Sequence, residues 1–201
     1  IRWLPETNQR IDDMIPSSDT KNLKLERNKS AFGLKANFSA FSASFAVNAY
    51  GKRFVKVAAT GFGSGFMPFA PGTAGTIVGI PLYLIFSHLS CPFYLIWALL
   101  LSSFAVYVSG KAEEIFNEKD SSSIVIDEIA GLQFTMFLVT PTASHMFCGF
   151  LLFRFFDIIK PFPCRFCERR LPGGYGVVAD DIAAGVYANI LLLLSIKYLG
   201  V

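Results

Sequence analysis

Two short stretches of the chain each carry a pair of adjacent carboxylates in the same setting. "IVIDEIAGLQF" holds Asp127 and Glu128, and "VVADDIAAGVY" holds Asp180 and Asp181; each passes from small apolar residues through two acids and Ile-Ala to a glycine. Carboxylates in apolar surroundings lose hydration and repel each other, so they take up a proton or share a cation. A helix N-terminus stabilises an acid there by about 0.3–1 kcal/mol. That accounts for one pair, but not for two pairs and Asp157 gathered at one membrane surface. The expectation is a metal site built from Asp127, Glu128, Asp157, Asp180 and Asp181. Oxygen ligands without histidine favour Mg²⁺, or Mn²⁺, over Zn²⁺.

A third stretch, "LLFRFFDIIKPFP", places Arg154, Asp157 and Lys160 at i, i+3 and i+6, neighbours on one helix face. Pro161 and Pro163 stop that helix just after Lys160. An internal salt bridge with snorkelling ends is the plain explanation. The functional one gives Asp157 to the metal and has Arg154 and Lys160 hold a phosphate. A fourth stretch, "GFGSGFMPFAPGTAGT", brings Gly72, Thr73, Gly75 and Thr76 to the start of an apolar run. Free backbone N–H groups, hydroxyls and a positive dipole end suit an anion. Beside an acidic cluster this reads as a phosphate cradle, although such glycines also serve close packing.

The cysteines carry none of this chemistry. Cys164 and Cys167 form an isolated CxxC with no second ligand pair, while Cys91 and Cys148 border or sit in apolar runs. "CRFCERR" fits the Cys-x5-Arg spacing of cysteine phosphatases, but its bulky, charged interior has no glycine to let amides wrap a phosphate. Packing is the expected role.

The elements that must position these groups follow from hydropathy. The chain is 53% hydrophobic with a mean hydropathy of +0.47, and its apolar residues cluster in runs near 75–89, 92–109, 129–139, 145–156 and 182–199. A span needs about 20 helical residues. The second and fifth runs qualify, and the short third and fourth read as a shallow hairpin turning at "TPTAS". The expectation is an all-α, small polytopic membrane bundle with four or five membrane-associated helices.

Lysine and arginine orient it. Lys52, Arg53 and Lys56 precede the first run, Lys111 and Lys119 follow the second, and Arg154, Lys160, Arg165, Arg169 and Arg170 lie around the end of the fourth. Loops "SHLSCPF" and "TPTASHM" carry none, so the first set faces the cytoplasm or the equivalent side of an organelle membrane. No Asp or Glu occurs between Arg27 and Ala112, and the acids of the apolar region fall on the same face as the bases. The net charge of +3 suits anionic lipid headgroups rather than nucleic acid. Residues 1–51 read differently: polar and charged, then Ser-, Ala- and Phe-rich, the composition of an unstructured extension or a targeting leader.

Taken together, "GFGSGFMPFAPGTAGT", "IVIDEIAG", "FRFFDIIKPFP" and "GGYGVVADDIAAG", in this order and spacing, resemble the phosphatidylglycerophosphatase A family over residues 52–201. The resemblance implies a Mg²⁺-dependent membrane enzyme that hydrolyses the terminal phosphomonoester of phosphatidylglycerophosphate to phosphatidylglycerol in glycerophospholipid synthesis. It carries onto Asp127, Glu128, Asp157, Lys160, Asp180 and Asp181 as motif positions. The implied partners are the phospholipid substrate and the bilayer, with oligomerisation left open; the implied location is a bacterial inner membrane, or an organelle inner membrane if the leader is a transit peptide. Two other classes stand beside it. A lipid-headgroup phosphotransferase would need an Asp-Gly-Ala-Arg-type signature that is missing, and a small cation carrier would place its ionisable groups near mid-membrane rather than at run ends.

Overall fold

The computed structural model describes residues 49–119, 121–171 and 173–200; residues 1–48 of the expected leader lie outside them. Contacts divide the chain at Gly51 and Lys52, and the second unit carries the architecture below. The described residues form helices and no strands. α1 is helical through residues 52–59, and a 3-10 turn at Ser64–Phe66 leads to α2, Pro71–Phe86. α3 is Cys91–Phe116, α4 Ile126–Thr135, α5 Ala143–Ile159, α6 Cys164–Arg170 and α7 Gly174–Leu199.

Two helices, Cys91–Phe116 and Gly174–Tyr198, are long and apolar enough to cross a membrane. Their outer faces expose Leu99, Leu100, Phe104, Ile190, Leu191 and Leu194, a surface matched to hydrocarbon rather than water. α2 is apolar but shorter. The helices depart from the hydropathy runs at their ends, for physical reasons. α2 begins at Pro71, whose missing N–H costs nothing in a first turn, so Gly72–Thr76 is helix rather than a loop before one. α7 begins at Gly174, where Cα packs on the backbone of Val106 and Gly110 in α3. Asp180 and Asp181 therefore lie in the second turn of α7, too far from its end for the macrodipole to account for them.

α4 is the short central element. Its ten residues rise about 15 Å, too little to span a bilayer, and α2, α3, α5 and α7 all pack against it. It crosses α7 closely enough that a Cβ on Gly185 would meet the carbonyl of Gly131. Ile126, Ile129 and Ala130 enter one apolar core with Leu101, Ala105, Val108 and Val178. Leu132 and Met136 enter a second with Tyr83, Phe153, Ala188 and Leu192. A helix ending inside a bundle leaves carbonyls that need donors. Here Tyr94 Oη donates to Gln133 O at 2.9 Å, Tyr83 Oη donates to Val139 O at 2.6 Å, and Asn189 Nδ2 donates to Thr135 O and Phe137 O at 2.8 and 2.7 Å. α2, α3 and α7 thus cap the descent of α4, which fixes the position of its other end.

Candidate functional site

The other end carries Asp127 and Glu128 in the first turn of α4. Val125 N donates to Ala59 O at 2.8 Å, tying the entry of α4 to the end of α1. α5 brings Arg154 and Asp157 in its last two turns and ends at Lys160, whose left-handed backbone (φ 48°) turns the chain into Pro161. α7 contributes Asp180 and Asp181. These side chains, with Pro71 and Gly72 of α2, line one cavity of about 320 Å³.

Within the cavity the carboxylates sort into two kinds. Asp157 Oδ2 accepts from Arg154 Nη1 at 2.6 Å, and Asp180 Oδ2 from Lys160 Nζ at 2.6 Å. Asp127, Glu128 and Asp181 instead converge: one oxygen from each lies within 4.8 Å of the other two. Asp127 and Asp181 are 6% and 4% exposed. Arg154 approaches Glu128 Oε1 only to 3.9 Å. Asp127 Oδ1, Glu128 Oε2 and Arg154 Nε are buried without a hydrogen-bond partner.

Burial pushes Glu128 up to about 8, with repulsion from Asp181 and Asp157 adding to it and a hydrogen bond from Asp127 and the charge of Arg154 opposing it. Burial, then the charge of Glu128, holds Asp127 well above the ordinary carboxylate range. A divalent cation fits this triad. Oxygen ligands about 2.1 Å from a Mg²⁺ stand roughly 3–4 Å apart, inside the 4.8 Å within which the three oxygens lie, and two buried oxygens have no hydrogen-bond partner.

All five acids expected from the sequence therefore reach one cavity, as do both cations, but only three of the acids form the convergent triad. Of the four residues expected to cradle phosphate, Gly72 alone lines the cavity. A Cβ there would strike Glu128 and Arg154, so glycine is what lets α2 approach the acids. Gly75 packs on Val125, and the buried Thr76 donates its hydroxyl to Gly72 O at 2.8 Å. Ser121, Ser122 and Val177 also line the cavity. The serine run just upstream of the first acidic pair was a visible signal for the first two. Cys164 is buried in the apolar core, and burial pushes its thiol up, so it packs and does not ionise readily.

A family model described as phosphatidylglycerophosphatase A matches residues 57–196. A phosphatidylglycerophosphatase A of Haemophilus influenzae is 37% identical over 150 residues, covering 72% of this chain and 89% of the relative. One of Escherichia coli is 37% identical over 129 residues, covering 64% and 75%. A Bacteroides thetaiotaomicron relative that carries the provisional name phosphatidylinositol-3-phosphatase is 38% identical over 144 residues, covering 68% and 89%. No solved structure matches.

Proposed function

As a member of the phosphatidylglycerophosphatase A family this chain is a phosphatase, and we propose that it removes the terminal phosphate of phosphatidylglycerophosphate, releasing phosphatidylglycerol for membrane lipid synthesis. The observation that carries this reading is the convergence of residues from three separated motifs, Asp127–Glu128, Arg154–Lys160 and Asp180–Asp181, on one cavity. Cavity and substrate are complementary: a phosphomonoester is a dianion that needs cations and a proton acceptor.

The proposed roles follow from the partners. Arg154 and Lys160 are the cavity's cations, and exchange of Asp157 and Asp180 for phosphate oxygens would let them grip the headgroup and stabilise charge as the ester bond breaks. Asp127, Glu128 and Asp181 would hold Mg²⁺, or Mn²⁺, which supplies Lewis acidity toward the phosphoryl oxygens and lowers the pKa of water. Asp157 and Asp180, next to them, would keep the cations in place between turnovers. Water adds to phosphorus, the bond to the glycerol oxygen breaks, and the proton lost by water is balanced by protonation of the leaving alcohol. A carboxylate of this cavity would carry that proton from the water to the alcohol.

In the same reading α3 and α7 cross the bilayer, and α2, α4 and α5 associate with it, which makes five membrane-associated helices of the four or five expected. The cavity would open at the cytoplasmic face of an inner membrane, where the basic residues cluster. The provisional name of the Bacteroides relative supports a second reading, a phosphatase of another lipid phosphomonoester. The test is phosphate release by purified protein from phosphatidylglycerophosphate, phosphatidic acid and phosphatidylinositol 3-phosphate, each with EDTA or Mg²⁺. Preferred, Mg²⁺-dependent release from phosphatidylglycerophosphate is expected. Preference for either other lipid replaces the substrate, and equal release in EDTA removes the metal.

A further inference from the structure

A cavity larger than the acidic one lies elsewhere among the described residues. A groove of about 650 Å³ runs between α1, α2 and α3 and against Ile126 and Ile129 of α4, with an apolar lining throughout, and it shares no lining residue with the acidic cavity. Packing of α2 on α4, through Gly75 on Val125 and Gly79 on Ile129 and Leu132, separates the two. The roof of the groove is α1, and α1 has two unlike sides. Lys56 lies over the ring of Phe116 at the end of α3, 5.5 Å from its centroid. Phe54, two residues earlier, meets Phe104 at 6.3 Å and lines the groove. Twelve residues of α3 rise about 18 Å, so the cation and the aromatic of this one turn reach to well-separated levels along α3.

Lys52, Arg53 and Lys56 are exposed. No acid stands near them in sequence, since none occurs from Arg27 to Ala112. A helix with basic residues on one side and Phe on the other, packed beside a helix long enough to cross a membrane, has the make-up of an interfacial helix, with cations suited to headgroups and apolar side chains to the acyl boundary. Resting on the membrane orientation proposed above, we infer that this groove is a second lipid site. It takes one anionic phospholipid, its phosphate on Lys52, Arg53 and Lys56 and an acyl chain in the groove beneath Phe54. Charge selects the lipid, since a zwitterionic headgroup offers the three cations little net charge, and van der Waals packing of the acyl chain in the groove holds the selected lipid in place.

Native mass spectrometry of the purified full chain in mild detergent tests this with two probes that are not phosphomonoesters, dioleoyl phosphatidylglycerol and dioleoyl phosphatidylcholine. One phosphatidylglycerol is expected to stay bound, and phosphatidylcholine is not. The triple variant Lys52→Gln, Arg53→Gln, Lys56→Gln should bind phosphatidylglycerol roughly a hundredfold more weakly. Leu82→Trp, which fills the groove, should also lose the lipid; Leu100→Trp at a 62% exposed position covers a folding failure of the first. Asp127→Asn should keep it. Equal retention of phosphatidylcholine, indifference to both the charge and the filling variants, or loss in Asp127→Asn, which would place the bound lipid in the acidic cavity, each overturns the second site. Phosphate release from the same preparations keeps the two proposals apart, since lipid retention without any phosphatase activity fails the functional reading and leaves this one standing.

Discussion

The two ends of α4 are buried to nearly the same degree and treated in opposite ways. At the C-terminal end, Gln133 is fully buried and its side-chain amide donates to Gly79 O at 3.1 Å, while the nearby carbonyls receive Tyr83, Tyr94 and Asn189. At the N-terminal end, Asp127 is 6% exposed, and its Oδ1, with Oε2 of Glu128, receives no donor. The bundle is therefore able to satisfy buried polar groups on this helix, using hydroxyl and amide side chains from three neighbours. That it does so at one end and leaves carboxyl oxygens bare at the other is the pattern of a ligand site rather than of a structural helix end.

The strongest way to break this contrast is to remove a bare oxygen. Asp127→Asn or Asp181→Asn should lower phosphate release by about a thousandfold, as expected for losing a main electrostatic element of the site. The same variants should keep or raise the thermal midpoint measured in EDTA, because an amide replaces a buried acid that is costly to ionise there. Near-normal turnover by a folded variant would remove that residue from the site, and a large fall in the midpoint would make its role structural.

Metal removal comes next and links the contrast to pH. EDTA should abolish activity and Mg²⁺ restore it. The folded-state value for Glu128, about 8, stands above its ordinary 4.5, so between those values the folded protein binds more protons than the unfolded chain. Stability in EDTA then falls as pH rises from about 4.5 to 8 and levels off above. Added Mg²⁺ should raise the thermal midpoint most at the upper end of that window, where the carboxylates are charged without a partner. A midpoint in EDTA that climbs across the window would contradict the buried-acid arrangement.

Much of the acidic end was legible in the residues. Paired acids and the Arg154–Asp157–Lys160 spacing lie in local sequence, and all of these residues reach the cavity. What was hidden is long-range. Which carboxylates converge and which pair with cations depends on how far α5 and α7 approach α4, and that distance is set by Gly131, Gly185 and Phe153 at the crossings. Hydropathy also misplaced two helix starts, because Pro71 and the Gly173–Gly174 pair are poor in apolar side chains yet well suited to a first turn and a close helix contact. The capped end left no pattern at all. Tyr83, Tyr94 and Asn189 stand on three helices, and nothing in their own neighbourhoods shows that their polar atoms serve one set of carbonyls.

The capped end is the sharper test of the contrast, because there the expected effect is on stability and not on chemistry. Asn189→Leu leaves the carbonyls of Thr135 and Phe137 without their donor and should cost about 1–3 kcal/mol, read as a lower thermal midpoint in detergent, while turnover at permissive temperature stays within about threefold. A loss of turnover as large as that of Asp127→Asn would mean the two ends are coupled and that α4 moves as one piece. Cys164→Ser lies at the small end of the series. Its thiol is packed in the apolar core and lies outside the triad, so turnover should stay within about twofold at a cost of about 1 kcal/mol for the buried hydroxyl. Complete loss of activity there would point to a thiol nucleophile in place of the carboxylates.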